Sequence, residues 1–447
     1  MASHLLETIE GKRLADRAAW LRWGPYLAER QWGTVREDYS ADGDAWTYFP
    51  FEHARSRAYR WGEDGIAGFT DDRLRWCLSL ALWNGRDPFL KERMYGLTNE
   101  QGNHGEDVKE LYYFLDGTPT HSYMRMLYKY PQAAFPYDSL LAENARRGLD
   151  EPEYELLDTG VFDDDRYFDV TVEYAKATPD DILMRITIEN RGPEEADLHV
   201  LPHVWARNTW DWRPGIPEPG LRLSERGVTA WHNRMPDREF SIDVETTWLF
   251  CRNETNTRLL FGSKAAGPFK DGINDFIVDG RADAVNRAEG TKCAAHVRLT
   301  LPAGGRKVLR LRWLPSDAAE QGDGDAAGGN DPLVDTAGGP FADHDAVFAR
   351  RIAEADEFYA ALQVQIDDPD ARSVQRQALA GMLWSKQFYR YDIRRWLEDE
   401  EWGCSSPLAL ASRCSSGAAA SSPTSTSSRC SPRPASSGSP SRSSAPC

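Results

Sequence analysis

The sequence predicts a mainly β protein: one large β-sandwich, then a linker and helices. Three observations predict it. First, apolar and polar residues alternate with period two over several segments. Phe168, Val170, Val172 and Tyr174 alternate with Asp169, Thr171 and Glu173, and Met184, Ile186 and Ile188 alternate with Arg185, Thr187 and Glu189. Such alternation gives each strand one apolar face for a shared core. Second, hairpin-length turn signals, such as Asn190-Arg191-Gly192-Pro193, separate these segments. Third, residues 316–340 are rich in Gly, Asp and Ala, which cannot bury a core, and helical periodicity begins only beyond them.

In chain order, residues 1–24 read as a short helix over 8–23, with Leu14, Ala18 and Leu21 at helical spacing and a stop at Trp23-Gly24-Pro25. Residues 25–315 form the sandwich domain. Near its start, Leu74, Leu78 and Leu82 make a short amphipathic pattern closed by Asn84-Gly85. Residues 111–115 and 123–128 read as strands. After the three strands around Phe168, Met184 and Leu198, further strands are expected at 229–233, 248–252, 259–262, 296–301 and 308–314. Residues 316–341 are the linker. Residues 342–402 carry one helix with Phe348, Ile352, Ala355, Tyr359 and Leu362 on a stripe. A second starts with Asp368 as N-cap and Pro369 at the first helical position, and is expected to run to about residue 399.

Composition bounds the function. The 447 residues carry a net charge of −17, which argues against nucleic-acid partners and anionic membrane surfaces. The N-terminus lacks the apolar core of a secretory signal and no apolar stretch reaches membrane length, so the expected location is cytoplasmic. Cys77, Cys251 and Cys293 lack paired spacing and read as reduced, buried thiols. The last segment, residues 403–447, has four Arg and no acidic residue, which leaves the body before it at −21 against −17 for the whole chain. This Ser/Ala/Pro-rich tail cannot form a core and reads as an out-of-frame translation of GC-rich coding sequence, with a genuine disordered tail as the alternative.

The chemistry-bearing stretch is residues 29–65, with three Trp, three Tyr, five Arg and eight Asp or Glu and no aliphatic run. Flat rings cover the C–H faces of a sugar, and planar charged groups bridge pairs of hydroxyls. Trp32, Arg36, Asp38, Trp61 and Glu63 are the candidate substrate-binding residues; the alternative is that they only buttress a well-ordered loop layer. Phosphate-loop, dinucleotide, zincin and serine-hydrolase motifs are absent. His199 and His203 are four apart, but Pro202 and the strand pattern argue against a helical metal pair. Phe162-Asp163-Asp164-Asp165-Arg166 has the charge of a calcium loop without its spacing and reads as an acidic turn. No metal or other cofactor is expected.

Several segments resemble one family. WGPYLAERQWGTVREDYS (23–40), FPFEHARSRAYRWGEDG (49–65), LTNEQGNHGEDVKE (97–110), YKYPQAAFPY (128–137), ELLDTGVFDDDRYFDV (155–170) and WARNTWDW (205–212) look like the bacterial branch of glycoside hydrolase family 63, the mannosyl-oligosaccharide glucosidases. The resemblance covers residues 5–400. It implies an N-terminal β-super-sandwich, a linker with helices, and a C-terminal (α/α)6 barrel that this chain enters and leaves truncated. It also implies inverting hydrolysis of α-linked glucosides or oligosaccharides, which needs a carboxylic acid and a carboxylate base with room for water between them. In the family both come from the barrel, so no residue here is matched as catalytic. Carboxylates beside Arg36, Arg55 and Arg60 suit ion pairing better than acid catalysis. The competing class is a stand-alone carbohydrate-binding sandwich. In a truncated barrel the second helix would lack its neighbour and leave Met382, Leu383 and Phe388 on an exposed apolar patch.

Overall fold

Strand alternation is resolved into two large antiparallel sheets. The computed structural model describes residues 2–27, 50–59, 65–98, 101–104, 107–212, 215–316, 339–386 and 388. The first sheet has six strands in the order β1 (Trp23–Gly24), β2 (Ile66–Asp71), β3 (Trp76–Trp83), β10 (Ala196–Ala206), β16 (Lys292–Leu301) and β14 (Thr247–Cys251). The second has nine. Its order begins with β15 (Glu289–Gly290), β11 (Gly220–Ser224), β12 (Gly227–His232) and β13 (Met235–Ile242). It continues through β17 (Arg306–Pro315), β9 (Asp181–Asn190), β8 (Tyr167–Thr178), β7 (Tyr123–Pro131) and β6 (Tyr112–Gly117). A two-stranded ribbon pairs β4 (Gly96–Leu97) with β5 (Asp107–Val108).

The inner faces of the two large sheets share one core. Leu78, Leu80 and Leu82 of β3 and Val200 and Val204 of β10 meet Val170, Val172, Ile186 and Leu311 of the second sheet. At one end of this core, Trp76 and Trp23 set their rings edge-on to Trp313 at 5.8 and 6.3 Å. Buried Arg238 lays its guanidinium 4.6 Å from the Trp23 ring and donates to the Trp313 carbonyl at 3.1 Å. Burial pushes this Arg down to about 10.

The sequence expectations hold for the strands around residues 112, 123, 168, 184 and 198, and they miss β2, β11 and β13. The segment holding Leu74, Leu78 and Leu82 is not helical. Leu74 sits in a turn at φ 50°, and Leu78 and Leu82 lie on β3. A spacing of four is even, so it keeps residues on one face of a strand as well as of a helix. β3 is also buried on both faces, which removes the polar alternation that marks a strand. The turn before it is built by Asp71, whose carboxylate accepts from the backbone N–H of Arg73, Arg75 and Trp76 at 3.1, 2.6 and 2.9 Å.

The N-terminal helix is broken into α1 (Ala2–Glu7), α2 (Ile9–Arg13) and α3 (Arg17–Trp20), with a 3-10 turn over Leu14–Asp16. Thr8 caps α2, its hydroxyl accepting from Gly11 N at 3.0 Å. Within α2, Glu10 is fully buried and accepts from Thr120 N and the hydroxyls of Thr120 and Ser122 at 2.9, 2.6 and 2.7 Å. The short α4 (Phe51–Ala54) and α5 (Tyr137–Arg146) follow in loops. The strand expected at 259–262 is α6 (Thr257–Phe261), started by the Asn256 side chain accepting from Leu259 N and ended by Gly262 at φ 66°. A further helix, α7 (Gly272–Asp279), packs Ile273 and Ile277 against Leu249 and Ala294 on the outer face of the first sheet.

Two helices follow as expected. α8 (His344–Leu362) buries Val347, Phe348 and Ala355 against Tyr123, Ala175 and Leu183 on the outer face of the second sheet. α9 (Pro369–Trp384) starts at Asp368, whose side chain accepts from Asp370 N and Ala371 N at 3.2 and 3.3 Å. The helix ends at Trp384 with Ser385 as its C-cap, short of the expected end near 399; residues 387 and 389–402, the linker between 317 and 338, and the tail lie outside the described residues.

The expectation of an unpartnered second helix is overturned for its described part. α9 lies across β6: Trp384 stacks on Phe114 at 5.6 Å with 9° between the rings, and its indole N–H donates to the Asp116 carbonyl at 3.0 Å. Arg376 grips the Asp116 carboxylate at 2.9 and 2.5 Å. Ala380 and Trp384 thereby join the main core, and an edge strand is covered. Val374 and Met382 on the far face stay exposed.

Candidate functional site

Trp32, Arg36, Asp38, Trp61 and Glu63 all lie outside the described residues, as do Glu37, Asp64 and Glu106. The described residues that bound the stretch carrying them are Leu27, Pro50, Tyr59 and Gly65. Leu27 packs with Leu74, Cys77 and Trp205 on the outer face of the first sheet. Gly65 lies against the same place, where an added Cβ would fall 2.3 Å from Ser79 Oγ and 3.3 Å from the Trp205 ring, so no side chain fits there. Phe51 and Tyr59 are buried in a neighbouring aromatic cluster.

Beside these anchor points the outer face of β10 and β16 forms a charged floor. Buried Lys292 of β16 donates to Glu92 at 2.8 Å, and Arg93 donates to the other Glu92 oxygen at 3.1 Å. Burial opposes ionisation of Glu92, yet Lys292, Arg93 and Lys270 together hold its carboxyl far below the usual range. His203 of β10 points Nδ1 to the same carboxylate at 4.0 Å. Burial, reinforced by Lys292, pushes this ring down to about 3, so it is neutral near pH 7. Lys270 extends the floor toward the stretch: its ammonium donates to the carbonyls of Ala54 and Arg57 at 2.9 and 2.6 Å and sits 4.2 Å from the Tyr59 ring.

An aromatic wall stands next to this floor. Tyr95 meets Phe51 and Tyr137 edge-on at 5.0 and 4.9 Å, and Phe89 and Phe135 close on Tyr137 at 4.6 and 4.5 Å. Lys91 threads the wall 3.7 Å from the Phe135 ring and donates to Glu110 at 2.6 Å. Glu110 also accepts from Tyr95 N and the Tyr128 hydroxyl, each at 2.9 Å.

This arrangement locks its charges in buried ion pairs, and burial raises Glu110 above the usual carboxylate range despite Lys91. Glu92 is ion-paired and ionised, so it cannot deliver a proton near pH 7. Asp107, on β5, is bound to Lys109 at 2.5 Å, and Glu153 and Glu155 take the same ammonium at 2.7 and 3.2 Å. These three carboxylates come within ligand distance of one another, and the ammonium already supplies the positive charge a metal would bring. His199 and His203 are not a pair: His199 hydrogen-bonds His296 at 3.1 Å, while His203 serves the floor. Asp163–Asp165 forms a 3-10 turn, as the acidic-turn reading expects. Cys77, Cys251 and Cys293 are buried and in no disulfide among the described residues, with burial pushing Cys251 up to about 12.

Sequence reasoning did not find Glu92, Lys270 and Lys292, because residues 200 positions apart meet only through strand pairing. The one local signal was Lys91-Glu92-Arg93, a charged triplet beside Phe89 and Tyr95.

No family model matches this chain. A curated relative, the uncharacterized protein YMR196W of Saccharomyces cerevisiae, is 38% identical over 435 residues, covering 87% of this chain and 39% of that protein. The chain therefore spans about two fifths of the length of the curated relative it matches.

Proposed function

We propose that this chain is the N-terminal sandwich part of an inverting, family-63-type glycoside hydrolase acting on α-linked glucosides or oligosaccharides, and that alone it binds sugar without hydrolysing it. The observation that carries the reading is the convergence of the anchors of residues 29–65 on a buried charged floor and an aromatic wall. Saccharide recognition requires aromatic and charged groups set on a preorganised backing, and the floor and the wall lie at the described bounds of residues 29–65. The quoted segments that resemble the family support it. So does the length of the yeast relative, which leaves room for a second domain carrying the acid and base. Trp32, Arg36, Asp38, Trp61 and Glu63 are the proposed sugar contacts. A cytoplasmic location belongs to the same proposal; the structure adds that, among the described residues, no helix is long and apolar enough to cross a membrane.

One observation favours a second reading, a self-contained carbohydrate-binding protein: α9 is docked on the sandwich instead of presenting its Trp384 face to a successor. The test sets this chain beside a version extended to the length of the yeast relative. Both are assayed on aryl α-glucosides and α-linked oligosaccharides, with binding read by calorimetry. The expected result is turnover by the extended version only, binding by both, and loss of binding in Trp32→Ala and Trp61→Ala. Turnover by the present chain would overturn the assignment of acid and base to a further domain. Binding without turnover by either version would favour the second reading.

A further inference from the structure

Between β14 and α7 the chain displays apolar side chains to solvent. Leu259 and Phe261 of α6 are 65% and 62% exposed, and Gly262, Ala265, Ala266 and Gly267 after them are exposed too. Single exposed apolar residues are ordinary, whereas two large ones followed by small ones in one short loop mark a contact surface. The loop's own hydrogen bonds set its shape. Asn256 caps the start, and its amide donates to the buried Asp271 carboxylate at 2.9 and 3.1 Å, which also accepts from the Ser56 hydroxyl at 2.7 Å. The hydroxyls of Thr257 and Ser263 share a hydrogen bond at 2.6 Å, and Gly262 ends the helix with its N–H on the Arg258 carbonyl at 3.1 Å. Arg57 lies 5.7 Å from the Phe261 ring. Leu259 and Phe261 are thus presented on a shape already made, which lowers the ordering cost of binding.

The rim of the loop is cationic in an acidic chain. Among the described residues, neither Arg258 nor Lys264 has a carboxylate within ion-pair distance, although the net charge is −17. The path of the chain brings its continuation to the same end of the sandwich. Beyond α9, Phe388 packs with Leu27, Leu74, Cys77 and Trp205, and Arg207 lies 5.4 Å from its ring. The neighbour of Arg207, Asn208, donates its amide to the Asn253 carbonyl at 3.1 Å, and the Asn253 amide donates back to the Ala206 carbonyl at 2.9 Å. Trp210 donates to Glu254 at 3.1 Å. Asn253 and Glu254 lead directly into the cap of α6. The segment after α9 therefore reaches the end of the sandwich from which this loop projects.

We infer that the Thr257–Gly267 loop docks the further domain that the proposed function places beyond this chain, seating Leu259 and Phe261 in an apolar pocket rimmed by carboxylates. The inference rests on that reading for the existence of the domain. The yeast relative supplies the length, since the match covers 39% of it. Leu259 and Phe261 are the anchors, and Arg258 and Lys264 find acidic partners on the rim. A second copy of this chain fits less well, because a two-fold contact would set the same cations against each other. An anionic lipid surface is opposed by the net charge of the whole.

Carbene labelling read on residues 259–267 tests this, on the full chain and on the version extended to the length of the yeast relative. The present chain, kept dilute, is expected to be labelled there, and the extended version to lose most of that labelling. Leu259→Ser/Phe261→Ser, both positions being exposed, is expected to keep the urea midpoint of the present chain and to restore labelling of Ala265 and Ala266 in the extended version. Arg258→Glu/Lys264→Glu should restore it too; charge reversal without effect would refute the acidic rim. Equal labelling of the two parent versions would overturn the inference. So would protection already seen in the dilute present chain, which would mean that the chain covers the loop itself. Concentration-dependent sedimentation of the present chain that the double Ser variant abolishes would assign the loop to a second copy, and capture on phosphatidylserine vesicles that it abolishes would assign it to a lipid surface; either would overturn the proposal. No sugar enters the experiment, so protection without sugar binding or turnover would sustain the docking while sinking the glycosidase reading.

Discussion

At the scale of single residues, this protein is held by charges taken out of water. Arg312 of β17 has no exposed surface. It grips Asp181, at the start of β9, at 2.9 and 2.5 Å, and Asp343, just before α8, at 2.6 and 3.2 Å. Removing one side of a buried pair strands the other, which costs about 3–5 kcal/mol. Arg312→Met should therefore destabilise by roughly that amount in urea unfolding, and a loss under ~1 kcal/mol would show that the carboxylates can reach water. The Glu92–Lys292 pair permits a sharper experiment. Lys292→Met leaves an ionised carboxylate buried, whereas Glu92→Leu with Lys292→Met removes both charges. The double variant should be more stable than the Lys292→Met single variant, because the desolvation cost disappears with both partners. If it is the less stable of the two, the pair contributes more attraction than its burial costs.

At the scale of elements, the docking of α9 decides how the C-terminal part behaves. The helix brings one large ring, Trp384, into the main core and an Arg–carboxylate clamp onto β6. Trp384→Ala should cost about 3–5 kcal/mol, as large-to-small core changes do. It should also speed amide exchange over Tyr112–Gly117, which the helix covers. Equal exchange in the variant would mean that the strand holds without it. A protease site inserted between Ser316 and Gly339 gives a second test. After cleavage, the piece bearing α8 and α9 should co-elute with the sandwich, because Val347, Phe348, Ala355 and Trp384 are buried against it. Separation of the pieces on size exclusion would restore the picture of a helix waiting for a missing neighbour.

At the scale of the whole molecule, buried neutral imidazoles make the fold sensitive to acid. Burial lowers His203 to about 3, and His232, His296 and His344 to about 4. In the unfolded chain these rings take up protons below about 6.5, while the folded state resists until much lower pH. The unfolded state then binds more protons, so stability is full above pH 6.5 and is lost as pH falls toward these values. Fully buried His203 alone contributes a slope of roughly 1.4 kcal/mol per pH unit in that window. Urea midpoints should decline steadily from pH 6.5 to 4, and His203→Gln should flatten the decline. A flat profile for the parent chain would show that the rings protonate in place.

The mainly β class was legible in the sequence because β8 and β9 each have one face toward the core, so period two survives in their residues. The cap of α9 was legible because Asp368 and Pro369 act on their own backbone. β3 was not legible, since burial on both faces erased its alternation, and the burial of Glu10 was not legible either, since its partners lie 110 residues away. The aromatic and charged character of residues 29–65 is a property of composition and was visible at once. The floor of Glu92, Lys270 and Lys292 and the cross-strand contact of His199 with His296 depend on strand register. Local propensity and capping act over a few neighbours and can be read along the chain. Desolvated ion pairs arise from contacts distant in sequence, and only the tertiary structure decided them.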